Sequence, residues 1–173
     1  MNSTVARTNP ELDAFVRHLG YESVDTDDKT LKTDFQLVME SQQRLEQASI
    51  IPDRELSPTQ KACLNLTREL ARDLAPRRLR GIHAAVIPPA SDRVRTAGLY
   101  SRRKEEIFIS TDQLQRGKTA VDTGIHEIAH HNSGAEDGAI EHQTELSRIG
   151  EMVASRAAQG RYDKFVADPS FTW

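Results

Sequence analysis

The chain is nearly free of cysteine: Cys63 is the only one in 173 residues. A single thiol rules out an internal disulfide framework and a cysteine-built zinc cluster. It falls in a helical pattern, where a buried structural thiol is expected rather than a nucleophile. Long apolar runs are missing too, and no stretch approaches the ~18 residues that a membrane-spanning helix needs. The N-terminus has no basic start followed by an apolar segment, so no signal peptide is expected and the cytoplasm is the expected compartment. Aromatic residues make up 5% of the chain and the formal net charge is −3, which argues against nucleic acid as a partner. With 37% hydrophobic and 28% charged residues, the composition points to one small core with a well-solvated periphery.

Charge is unevenly placed. Residues 9–57 hold eleven acids against five bases, and residues 77–104 hold eight bases against one acid, Asp92. Solvated surfaces are the simplest account of both, and the basic stretch lacks interleaved aromatics for base stacking.

Histidine is scarce but concentrated: of six in the chain, four lie between positions 126 and 142. Two of them belong to His126-Glu127-Ile128-Ala129-His130. Imidazoles four apart on a helix project from one face a turn apart, close enough to share a metal ion. The Glu between them is placed to polarise a metal-associated water, which is the mechanical content of an H-E-x-x-H pattern. Thr119 and Asp122 predict a capping box with the helix starting at Ala120. Val121, Ile125 and Ile128 give it one apolar stripe, off which both ligand histidines fall. Asn132 to Gly134 is a helix stop. Gly124, inside the helix, costs about 1 kcal/mol relative to Ala, which suggests that a strand or a substrate approaches closely there. His131 points about 100° away from His130 and is not expected at the same site.

Around this motif the periodicities predict an α+β fold. Short helices are expected over 11–20, 31–48 and from Ser57-Pro58 to Leu74, the last carrying Ala62, Leu66, Leu70 and Leu74 on one side. Residues 21–30 read as a linker, Ile50-Ile51-Pro52 as a break, and His18 as an exposed or half-packed side chain rather than a ligand. Strands are expected at His83–Ile87, Thr96–Ser101 and Glu105–Ser110, with Arg102-Arg103-Lys104 as the turn between the last two. A final helix is expected from Gly138 to Gln159. The resulting architecture is a small mixed sheet packed on the motif helix and its successor, after a helical N-terminal region at 1–57 and within a domain at 58–173.

A catalytic zinc takes three protein ligands and keeps one position for water. The helix supplies His126 and His130. Asp137 is the first choice for the third, because Gly134 reverses the chain and a carboxylate oxygen suits zinc; its other reading is the N-cap of the last helix. His142 is the rival, on the inward stripe with Leu146, Ile149 and Val153, and Glu141 and Glu145 are weaker options.

These residues resemble the zincin superfamily of metallopeptidases, in its compact single-domain form. The resemblance runs from about Ile82 to Val153 and takes in the strand ending Ile107-Phe108-Ile109-Ser110, the motif helix and the helix after it. The chain departs from the metzincin pattern, with Ser133 and Glu136 where that pattern has Gly and His. It departs from gluzincins in how near Glu141 and Glu145 lie, and from peptide deformylases in having Cys63 on a helix. The resemblance implies that Glu105–Ser110 is the sheet edge on which an extended substrate pairs. It also implies zinc (Zn2+) as cofactor and hydrolysis of a peptide bond in a peptide or protein substrate. Glu127 would move the proton, Asp137 would complete the ligand set, and Tyr100, Tyr162 or His142 would face the oxyanion. Narrow specificity follows from the small core, and Phe171 and Trp173 are expected to dock in the site or on a neighbour. The alternative is a non-catalytic module that zinc ties together for protein binding.

Overall fold

The structure is a computed structural model that describes residues 5–6, 23–24, 43–77, 79–89 and 96–173. The chain divides into two compact units, Met1–Gln43 and Arg44–Trp173. In the first, β1 (Val5–Ala6) pairs in parallel with β2 (Ser23–Val24), the latter inside the stretch expected to be a linker. The helix expected over 11–20, His18 and most of the helix expected over 31–48 lie outside the described residues; 43–47 are helical.

The second unit is α+β. Helix α1 (Pro58–Leu74) starts where the Ser-Pro pair predicts. The Ser57 hydroxyl accepts from the Gln60 backbone N–H at 3.2 Å, and the Gln60 side chain accepts from the Ser57 N–H at 2.9 Å. That reciprocal cap satisfies two donors that the first turn leaves without partners. Ala62, Leu66, Leu70 and Leu74 are all buried, as is Cys63, whose thiol burial pushes above its ordinary pKa.

Four strands form the sheet, in the order β3 (Ser49–Ile51), β4 (Gly81–Val86), β6 (Glu106–Ser110), β5 (Gly98–Ser101). β3 runs antiparallel to β4, β4 parallel to β6, and β6 antiparallel to β5. Ile82, Ala84, Ile107 and Ile109 enter the core that α1 shares with the motif helix. Two expectations change here. Ile50-Ile51, read as a break, forms β3. Glu105–Ser110 is not the sheet edge, because β6 is paired on both sides; the edges are β3 and β5.

The motif helix, α2 (Gly117–Ser133), begins three residues earlier than expected and has no capping box. The Thr119 hydroxyl is taken by the carbonyls of Gln113 (2.6 Å) and Arg116 (3.1 Å), so it has no role as a cap. Gly124 does serve a close approach, but to α1: a Cβ there would lie 2.6 Å from the Thr67 methyl carbon. The C-terminal tail seats Phe171 over Gly117, where the Gly117 N–H donates to the Thr172 carbonyl, and leaves Trp173 exposed. It therefore docks at the start of α2, about 20 Å along the helix from His130 at 1.5 Å per residue, and not in the site.

Helix α3 (Ile140–Ala158) returns along α2 and α1, followed by the short α4 (Asp163–Val166). Ion pairs hold these elements to α1. Arg161 grips the Asp73 carboxylate with two bonds of 3.0 Å and reaches Glu69 at 2.8 Å. Arg156 adds the Asp73 carbonyl at 2.6 Å and its carboxylate at 3.3 Å. Among the described residues no helix is long and apolar enough to cross a membrane.

Two predictions follow from this packing. Gly124→Ala improves helix propensity but collides with buried Thr67, so it should destabilise by about 1–3 kcal/mol; adding Thr67→Ser, which removes the colliding methyl, should recover most of the loss in denaturant melts. Recovery absent from that double-mutant cycle would sink the contact. The second concerns acid. The hydrogen bond from Arg161 holds the Asp73 carboxyl below its ordinary value, and Arg68 and Arg148 do the same for Asp53 and Glu145. A lowered folded pKa stabilises above the unfolded value and is lost as pH falls through the folded one. Stability should therefore decline from about pH 4 downward, with Asp73→Asn showing a lower plateau at neutral pH and a shallower acid limb. An unchanged slope in that variant would assign the acid limb elsewhere.

Candidate metal centre

The ligand atoms of His126, His130, Asp137 and His142 all lie within 4.8 Å of one another. Helix geometry supplies the first two. His126 and His130 stand one turn apart, with their Nε2 atoms 3.1 Å from each other. The His130 Nδ1–H donates to the Ala135 carbonyl at 2.9 Å, since a carbonyl can only accept, and this leaves Nε2 as a free lone pair. Burial holds His126 below its ordinary imidazole pKa, with Asp137 opposing the shift, so the neutral ligand form is favoured.

The loop after α2 supplies the third group. Gly134 ends the helix at φ +65°, and Gly138 turns the chain again at φ +81°. Between them Asp137 reaches back, its Oδ1 lying 3.1 Å from His126 Nε2 and 3.3 Å from His130 Nε2. It is not the cap of the last helix, whose N-cap is Ala139. Helix α3 then brings in His142, with its Nδ1 4.0 Å from the same carboxylate oxygen. Its ring stacks on His130 at 4.2 Å and meets His126 edge-on at 5.0 Å. The two residues weighed as rivals thus come to one place together. Glu145 is engaged elsewhere, accepting from Asn132 and Arg148 at 2.6 Å each, and Glu141 is exposed.

Two observations test whether a metal fits. With bonds of about 2.0–2.1 Å, a tetrahedral zinc sets neighbouring donors about 3.3–3.4 Å apart, and the separations of 3.1, 3.3 and 4.0 Å bracket that edge. The His142 Nε2 is buried without a hydrogen-bond partner among the described residues. The Nδ1 of the same ring is the atom that faces the Asp137 oxygen, so no hydrogen bond on the Nε2 side holds the ring away from the cluster. The cluster is geometrically suited to a single Zn2+ ion, and with its spacing on a helix it matches a zincin H-E-x-x-H site.

Glu127 is buried beside this cluster, under the edge strand β5. A Cβ on Gly98 would lie 2.9 Å from its Oε1, so only glycine lets the strand lie this close. Burial, helped by the Asp137 charge, pushes the Glu127 carboxyl up to about 8, while a hydrogen bond from the Tyr100 backbone N–H opposes the shift. The Tyr100 hydroxyl is committed to His131 Nδ1 at 3.0 Å, whose Nε2–H in turn donates to the Arg77 carbonyl at 3.0 Å. His131 thus stays out of the site as expected. Tyr100 touches Glu127 through its backbone and is no oxyanion donor; Tyr162 is buried on the far side of α1, near Asp73. Sequence reasoning missed the backbone contact of Tyr100 and the place of Gly98, because both depend on which strand flanks α2.

Compared with family models, with curated proteins and with solved structures, the chain matches none of them.

Removing metal should loosen the protein. At free zinc a hundredfold above Kd, mass action adds about 2.7 kcal/mol, so a chelator should lower the thermal midpoint and one equivalent of zinc should restore it. His126→Ala should lose most of that response. A midpoint indifferent to both chelator and zinc would remove the metal from this cluster.

Proposed function

We propose that the chain is a zinc-dependent metallopeptidase that hydrolyses a peptide bond in a peptide or protein substrate, with narrow specificity. The reading is carried by the position of Glu127, a buried carboxylate adjacent in sequence to His126 and feeling the charge of Asp137. Zinc would be held by His126, His130, Asp137 and His142. When bound it supplies Lewis acidity, making water nucleophilic near neutral pH and polarising a carbonyl.

The remaining chemistry belongs to the chain. Glu127 accepts a proton from the attacking water at its carboxylate and delivers it to the leaving amine. Burial and the Asp137 charge raise its pKa to about 8 in the metal-free site, and the positive charge of a bound ion would draw it down toward the ionised form that accepts the proton. The Tyr100 backbone N–H orients the carboxylate, and β5 shields it from bulk water. The resemblance to zincins assigned substrate pairing to the edge before the motif helix; with β6 interior, that edge is β5, beside α2. A cytoplasmic setting belongs to the same proposal, supported by the lone buried Cys63.

One observation favours a second reading. Four donors around one point are the number found in closed structural zinc sites, which suits a zinc-tied interaction module. Glu127→Gln separates the two. In a peptidase it should keep about one zinc per chain by elemental analysis, while kcat against a peptide library read by mass spectrometry falls about 10²–10⁴-fold. A wild-type chain that cleaves nothing in the library, with partner binding unaffected by Glu127→Gln, would establish the module instead.

A further inference from the structure

Resting on the zinc reading above, we infer that the four donors are unequal: His126, His130 and His142 form the lasting tripod, and Asp137 is an exchangeable fourth ligand that yields its position to incoming water or substrate. The three histidines come from rigid helices, two from α2 and one from α3. Their side chains retain 41%, 15% and 3% of their exposure in chain order, whereas that of Asp137 retains 73%. A ligand that must leave has to have solvent to leave into, and Asp137 has the most of it while standing on a loop rather than a helix.

The backbone around it is built for a short swing. Ala135 is pinned, its carbonyl accepting from His130 and its N–H donating to the Ser133 hydroxyl at 3.1 Å. Beyond it, Gly138 at φ +81° has no atom within 4 Å of where a Cβ would stand, and the turn there is closed by one backbone bond, from the Ala139 N–H to the Glu136 carbonyl at 3.2 Å. Asp137 therefore sits between a fixed point and a hinge. The stretch is fastened by one side chain from the β5–β6 turn: Arg102 donates to the Gly134 carbonyl and to Glu136 Oε1 at 3.0 Å. Arg102 and Glu136 are both exposed, and an ion pair of that kind contributes little, so the fastening is weak enough to open. Arg102 is a positioning residue: it biases the loop toward the closed, four-donor arrangement without touching the metal cluster.

The arrangement reconciles a closed ligand set with hydrolysis, and it predicts competition. An external ligand meets a site that is open for only a fraction of the time, and its apparent affinity is reduced by that fraction. The test uses the full-length chain loaded with Co2+, whose visible spectrum reports coordination number, and acetohydroxamate as the incoming ligand. Asp137→Ala should retain one cobalt per chain with affinity within about tenfold of wild type, and should bind acetohydroxamate at least about tenfold more tightly. Arg102→Ala should shift acetohydroxamate affinity in the same direction by a smaller factor, with cobalt affinity unchanged. His142→Ala should lose cobalt affinity by about a hundredfold or more. Loss of cobalt from Asp137→Ala as severe as from His142→Ala would make Asp137 part of the lasting set and overturn the inference. So would an acetohydroxamate affinity that ignores Asp137. A wild-type chain that takes up no cobalt overturns the zinc reading and the inference together, and metal content alone distinguishes that result from the other two.

Discussion

Three imidazoles and a carboxylate crowded at one point leave lone pairs facing one another, and that arrangement is unfavourable unless a cation lies among them. The two Nε2 atoms on α2 stand 3.1 Å apart, and since His130 Nδ1–H is spent on Ala135, the neutral form of that ring points a lone pair at its neighbour. The neighbouring helices turn this repulsion into a site. Helix α2 fixes the spacing of two donors, the Gly134 turn returns the carboxylate, and α3 closes the set with a buried ring whose Nδ1 faces that carboxylate. The helices are not free to relax apart, because Arg156 and Arg161 hold the C-terminal ones to Asp73 and Glu69 on α1, against which α2 packs through Gly124 and Thr67. A network far from the metal cluster thus fixes where His142 stands.

What was legible in the sequence was local. A spacing of four on a helix, a serine before a proline, and a glycine after the last turn each state their geometry within a few residues, and His126, His130, Ser57 and Gly134 are found in those roles. The misreadings share a cause in long-range structure. Strand order places β6 between β4 and β5, and no periodicity within Glu105–Ser110 records its neighbours. Ile50 and Ile51 form a strand because β4 offers them an edge, although Pro52 follows. Thr119 has the composition of a cap, but the carbonyl of Gln113, six residues upstream, takes its hydroxyl. Asp137 and His142 were weighed against each other because counting to three ligands left one place. The fold brings both, and a ligand count cannot be read from the chain when the donors arrive from separate elements.

Adjacent histidines on α2 show how a single residue step separates the cluster from its support. His130 faces the metal cluster. His131, about 100° further round, is buried on the other side, and its protonation pattern is fixed by its partners: the Arg77 carbonyl requires a proton on Nε2, so Nδ1 accepts from the Tyr100 hydroxyl. That bond anchors the side chain of Tyr100 to the helix, and the same residue's N–H then reaches Glu127. The edge strand is held to α2 at both ends of one residue. Glu127 therefore owes its orientation in part to a histidine outside the four-residue cluster, and a change at His131 would reach Glu127 through Tyr100 rather than through that cluster. The metal face and the strand face of α2 are coupled in this way, since the residue between the two ligand histidines is the one on which both converge.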